Sequence, residues 1–276
     1  MTKKLPSPEK YNRKYHFFFS KKENGDTKTL SFTMDIKKEV GSPLVELIRS
    51  HFEINNQKPD GTLIGGLIYR SSEVLYPLKL NLTETGYINK IINYEEILSY
   101  WKNIKQKLTP ECDNNYSLEL VERIGKLYEN PEKLLSGLKN DWFYSVFFLP
   151  IYQNYKDNLY TVKYKFPFSS YRLKLELLEK ENTTLEILVK GVLENEEKSK
   201  VNGFYILNPD RSIHTLYLQI SSPLTKEELQ IEIQEVKKQE RDYKAVGILY
   251  DADKERKEKE KKRNSPVFFI GERKIK

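Results

Sequence analysis

The 276-residue sequence predicts an α+β protein: a curved antiparallel β-sheet, a half-barrel or two packed sheets, with a helical insert covering one face. Three observations predict it. Apolar residues recur with period two from residue 15 to 93 and again after 158. Between those regions the period lengthens to that of a helix. Short turns join the strand runs, and only antiparallel neighbours can be joined so tightly, because parallel strands need crossovers of about a dozen residues.

Residues 1–14 read as a basic N-terminal tail with five cationic side chains against Glu9. The β-hairpin region 15–93 follows. Tyr15, Phe17 and Phe19 share one face of a strand, and Leu30, Phe32, Met34 and Ile36 share one face of the next. Asn24-Gly25 between them is the strongest short hairpin signal. A third strand covers Leu44 to Ile54, and Gln57 to Gly66 reads as a loop on its Pro and Gly content. Leu78, Leu80 and Leu82 return to alternation, and Thr85-Gly86 turns the chain into Tyr87–Ile92.

The helical insert spans 94–150. Asn93 with Glu96 resembles a capping box before the stripe Ile97, Trp101, Ile104 and Leu108. A second stripe runs from Leu120 to Tyr128. Asn130-Pro131 then opens one long third helix that Pro150 closes. The second antiparallel region, 158–250, packs with the first. Its strands start at Tyr160, Leu173, Leu185, Phe204 and Ser212, and Asn208-Pro209-Asp210 makes a turn. Residues 225–240 fit a strand and a helix alike, and a strand running into a charged turn is preferred. Residues 251–276 form a charged C-terminal tail.

Composition narrows the function. No apolar run approaches the ~18–20 residues that cross a bilayer, and the N-terminus lacks the apolar core of a secretory signal. Cytoplasmic location without a membrane span is expected. The single Cys112 excludes a disulfide framework. The net charge of +7 sits at the ends: residues 15–250 hold 32 basic and 33 acidic side chains. With a neutral body and alternating signs in the tail, nucleic acid is not an expected partner.

Chemistry is sparsely provided for. His16, His51 and His214 have no second ligand at metal spacing, Cys112 lies between acids that disfavour a thiolate, and Gly61-Thr-Leu-Ile-Gly-Gly matches no phosphate-binding loop. No enzyme, cofactor or metal is expected.

Binding residues are better represented. Trp142, Phe143, Tyr144, Phe147 and Phe148 either anchor the insert on the sheet or face a partner. Val267, Phe268, Phe269 and Ile270 follow a solvated tract and read as a strand that docks on a sheet edge, its own or a partner's. Phe17, Phe32, Tyr164 and Phe166 would line a concave sheet able to hold an apolar small molecule. The hairpins around a helical insert resemble curved-sheet binding proteins that enclose a ligand. The neutral body with charged ends resembles accessory proteins of bacterial secretion or toxin systems. Neither resemblance rests on a diagnostic motif, so no residue role is carried over. The leading expectation is a non-catalytic protein-binding module: an adaptor, chaperone or immunity-type accessory protein whose partner is another protein, with self-association left open. A small-molecule carrier is the alternative, and an enzyme without local motifs the third.

Overall fold

Residues 2–14, expected as a tail, contribute to the sheet: Thr2–Lys4 form β1, Leu5 and Tyr11 are buried, and β2 (Tyr11–Glu23) begins at Tyr11. The computed structural model describes residues 2–59, 62–167, 169–179, 184–194, 196–222 and 227–236, without the side chains of 196–198. The expected C-terminal tail, and with it Val267, Phe268, Phe269 and Ile270, lies outside the described residues.

Asn24 and Gly25 take φ of 51° and 95°, the pair of positive angles a type I′ turn needs, and they set the register of β2 against β3 (Asp26–Lys38). β4 (Leu44–Ile54) pairs with β3 along its length and with β5 (Leu78–Leu82) only through Leu44–Leu47. The segment between them is not all loop. Thr62 caps a helix, α1 (Leu63–Glu73), by accepting a hydrogen bond from Gly65 N at 3.0 Å. The helix buries Leu67 and Ser71, and that burial outweighs the helix-weakening Gly65-Gly66 pair. β6 (Ile88–Ile91) completes this flank.

α2 (Tyr94–Leu108) starts where the sequence places it, but Asn93 does not cap it with its side chain. That amide instead accepts from Lys79 N and donates to Pro77 O, fastening the helix start to β5. Asn114 and Ser117 form a reciprocal capping box for α3 (Asn115–Tyr128). The expected long third helix is two: α4 (Pro131–Lys139) and α5 (Trp142–Phe147). The break has a local cause. The Asp141 carboxylate accepts from Phe143 N at 2.9 Å and Tyr144 N at 3.3 Å, so it starts a new helix where the stripe alone implies continuation.

β7 (Asn154–Lys156), β8 (Leu159–Phe166), β9 (Ser169–Glu179), β10 (Leu185–Leu193), β11 (Glu196–Leu207), β12 (Ile213–Ser222) and β13 (Glu227–Glu235) follow as a meander. Both flanks join in one open antiparallel sheet of 13 strands, ordered β1-β7-β8-β9-β10-β11-β12-β13-β2-β3-β4-β5-β6. Within the ambiguous segment 225–240, Glu227–Glu235 form the seam strand: β13 lies between β12 and β2. At Gly203 the strands approach so closely that a Cβ would stand 2.1 Å from the Tyr217 carbonyl oxygen. No helix among the described residues is long and apolar enough to cross a membrane.

The sheet must be curved. β8 and β3 are seven strand positions apart, which would separate them by roughly 34 Å in a flat sheet at ~4.8 Å per strand. Yet Tyr164 of β8 and Phe32 of β3 both touch α5, a six-residue helix only ~9 Å long.

Candidate functional site

α5 occupies the inner face that the sequence offers as a ligand cavity. Phe17, Phe32 and Phe166 and the rings of Phe143, Tyr144, Phe147 and Phe148 are all buried, as is Tyr164. Phe143 packs edge-on against Phe17 at 5.5 Å and Phe32 at 5.4 Å, and Tyr15 meets Phe147 at 5.1 Å. Such ring pairs add to the burial of apolar area. Of the five aromatic residues between 142 and 148, only Trp142 is half-buried; it stacks on Phe19 and Phe166 at one end of the concavity.

A short helix in an apolar interior leaves carbonyls without intrahelical partners. Here tyrosines supply them. Tyr164 Oη donates to Ser145 O at 2.8 Å, and Tyr205 Oη donates to Val146 O at 2.7 Å. Burial pushes the Tyr205 phenol well up from its ordinary range, so it stays a neutral donor. At the other end of α5, burial pushes the Asp141 carboxyl up, opposed by its two backbone N–H bonds and by the Arg49 charge. Arg49 lies over the rings of Phe52 at 4.5 Å and Tyr76 at 4.9 Å and donates to Glu73 at 2.6 Å, which locks α1 to β4. Tyr76 and Tyr144 share a hydrogen bond of 2.8 Å, and burial pushes the Tyr76 phenol up to about 12.

Folding also assembles a polar cluster that no local motif announces. Arg13 donates to Glu235 and Asp210, both at 2.7 Å, and to Ser212 Oγ at 3.2 Å. Asn208 donates to Glu235 at 2.9 Å, and His214 Nδ1 lies 3.3 Å from the same carboxylate. Burial would raise both acids, but the bonds from Arg13 and its neighbours hold Asp210 and Glu235 below the usual carboxylate range. Ser212 donates to Asp210 rather than to His214, so the group is a satisfied clamp between β2, β13 and the β11–β12 turn, and it presents no activated nucleophile. His16 is exposed and His51 bonds its neighbour Ser50. Among the described residues no three His, Cys, Asp or Glu side chains form a group that could hold a metal.

The outer face is built differently. Leu188, Phe204, Tyr217 and Phe18 fall in one cross-strand row running from β10 to β2, with Glu176 beyond Leu188 and Glu232 between Tyr217 and Phe18. All four apolar side chains are half-buried, and Phe204 stacks on Tyr217 at 5.8 Å. Beside this row, Arg172, Lys174, Lys190 and Lys200 surround a shallow depression of about 410 Å³. Lys174 and Lys190 stand directly opposite each other across the ladder, a pairing that costs stability. Among the described residues none of these four cations has an ion-pair partner, although nearby Lys163 pairs with Glu194. Against known proteins, the chain matches no family model and no curated relative.

Proposed function

We propose that the chain is a non-catalytic cytoplasmic binding protein, an adaptor, chaperone or immunity-type accessory protein, that holds an acidic protein partner on the outer face of its sheet. The observation that carries this reading is the set of four cations, without an ion-pair partner among the described residues, beside an aromatic and aliphatic row. An apolar centre with a charged rim is the anatomy of a protein interface. Like charges held opposite each other without counter-ions are a cost that an acidic partner would relieve. Carriage of an apolar molecule by Phe17, Phe32, Tyr164 and Phe166 would require α5 to leave the inner face, whereas the outer face needs no rearrangement.

The test is to recover the protein from its own host, identify the co-purifying polypeptide and rebind it in pure form. Rebinding is expected to survive nuclease, to weaken as salt rises, and to be lost in a Lys174→Glu, Lys190→Glu variant that still folds. Rebinding at undiminished strength by that variant, or loss on nuclease treatment, would overturn the proposal.

A further inference from the structure

β8 has an open edge. β7 meets it in a single pair, Lys156 with Leu159, whereas β9 pairs with it from Leu159 to Phe166. The Asn158 carbonyl accepts from Leu177 N at 2.9 Å, which fixes the phase of the ladder. Tyr160, Val162, Tyr164 and Phe166 therefore turn their backbone groups toward β9, and Thr161, Lys163 and Lys165 turn theirs the other way. Those outward N–H and C=O groups have no hydrogen-bond partner among the described residues. A row of unpaired backbone groups is a template for another strand. The side chains continue the pattern. On the outer face Thr161, Lys163 and Lys165 are exposed, and they extend the cation rows: Thr161 stands opposite Lys174, and Lys163 opposite Arg172. Lys163 pairs with Glu194, and Lys165 has no ion-pair partner among the described residues. On the inner face Tyr160 and Val162 are half-buried, while their β9 partners Leu175 and Leu173 are fully buried, so the apolar layer stops unfinished at this edge. Charge chooses between occupants. A second copy pairing antiparallel along Thr161–Lys165 would set Lys163 against its own counterpart, and like charges directly opposite are destabilising. An extended segment with acidic residues on one side and apolar residues on the other meets both faces.

We propose that β8 receives such a segment of an acidic protein partner as an added strand. Main-chain bonds hold it, its acids face Lys163 and Lys165, and its apolar side chains cover Tyr160 and Val162. The inference rests on the outer-face reading above and names the form in which the partner binds. The probe is a fluorophore-labelled peptide of four Glu-Val repeats, with four Lys-Val repeats as its counterpart. Anisotropy is expected to show saturable binding of the acidic peptide and none of the basic one. Thr161→Pro deletes an outward N–H and obstructs the edge without breaking a bond to β9, so its melting temperature should stay close to that of the unmodified protein. It should weaken the acidic peptide about tenfold or more, the worth of one hydrogen bond, whereas Thr161→Val, which keeps the N–H, should not. Hydrogen exchange on the unmodified protein gives a second readout. The amides of Thr161, Lys163 and Lys165 should exchange freely in the free protein and become protected as the peptide saturates it. The added strand is overturned by absent saturable binding, by equal binding of the two peptides, or by unchanged affinity in a folded Thr161→Pro variant. Protection of those amides in the free protein, which would place a second copy or this chain's own residues on the edge, also overturns it. The two readings fail separately: if Lys174→Glu, Lys190→Glu loses the peptide and Thr161→Pro does not, the acidic-partner surface stands and the strand falls.

Discussion

The same strands present two faces that are organised on opposite principles. On the inner face, consecutive inward residues such as Tyr15 and Phe17, or Leu216 and Leu218, are fully or almost fully buried, and two carbonyls of α5 are met by tyrosine phenols. On the outer face, the intervening residues include half-buried aromatics and cations without counter-ions among the described residues. The inner face is closed by packing within the described residues. The outer face carries a like-charge pairing that no described residue offsets. An alternating strand thus gives one set of residues to stability and the other to recognition, and the two sets can be altered independently.

The largest expected effect tests the inner half of that contrast. Phe143 is 1% exposed and touches the rings of Phe17, Phe32, Tyr144 and Phe147. Phe143→Ala should cost about 3–5 kcal/mol, as large-to-small changes in a packed core do. Denaturant unfolding measures this, and an unchanged midpoint would mean that α5 does not hold the curved sheet together.

Much of this contrast is legible in the sequence, and the exceptions have physical causes. Alternation identifies most strands, Asn24-Gly25 and Asn208-Pro209-Asp210 mark turns that do form, and Leu229, Ile231 and Ile233 mark the seam strand. α1 is obscured because Gly65-Gly66 carries a loop signature, while its cap, Thr62, acts through a single backbone bond. The α4–α5 break is obscured because the apolar stripe continues in phase across Asp141. That the strands make one sheet depends on the β13–β2 ladder, which joins residues some two hundred positions apart. The same distance hides the clamp of Arg13 with Asp210 and Glu235, and only register shows that Lys174 and Lys190 stand opposite each other. The aromatic residues of the insert are evident from sequence; that they fill the concavity is a tertiary fact.

A smaller effect concerns the clamp, which lies between the two faces. Asp210 and Glu235 are held below their unfolded values, near 3.9 and 4.3. Their contribution is therefore present above that range and is lost as pH falls through and below it. Arg13→Met should make stability less steep with pH in the acid limb, with little change in steepness near neutrality. Unfolding midpoints measured from pH 3 to pH 7 check this. An acid limb as steep as that of the unmodified protein would show that other carboxylates control it.

The smallest expected effect on stability is the most telling for the comparison. Phe204 contributes one half-buried ring to the outer row, paired with Tyr217 across the β11–β12 ladder. Such cross-strand pairs contribute ~0.2–1 kcal/mol. Phe204→Ser should therefore lower stability by no more than about 1 kcal/mol, several-fold less than Phe143→Ala, although both remove a phenyl ring. If the outer face is the recognition surface, the same change should sharply weaken rebinding of the co-purified polypeptide, since a central aromatic in an interface core carries a disproportionate share of the binding energy. Unfolding curves and rebinding measured on the same preparation separate the two effects. A loss of stability as large as that of Phe143→Ala would mean that the outer row is structural, and the division of labour between the faces would fail. Unchanged stability with unchanged rebinding would leave the division standing but move the partner off this row, toward the cations around Lys190.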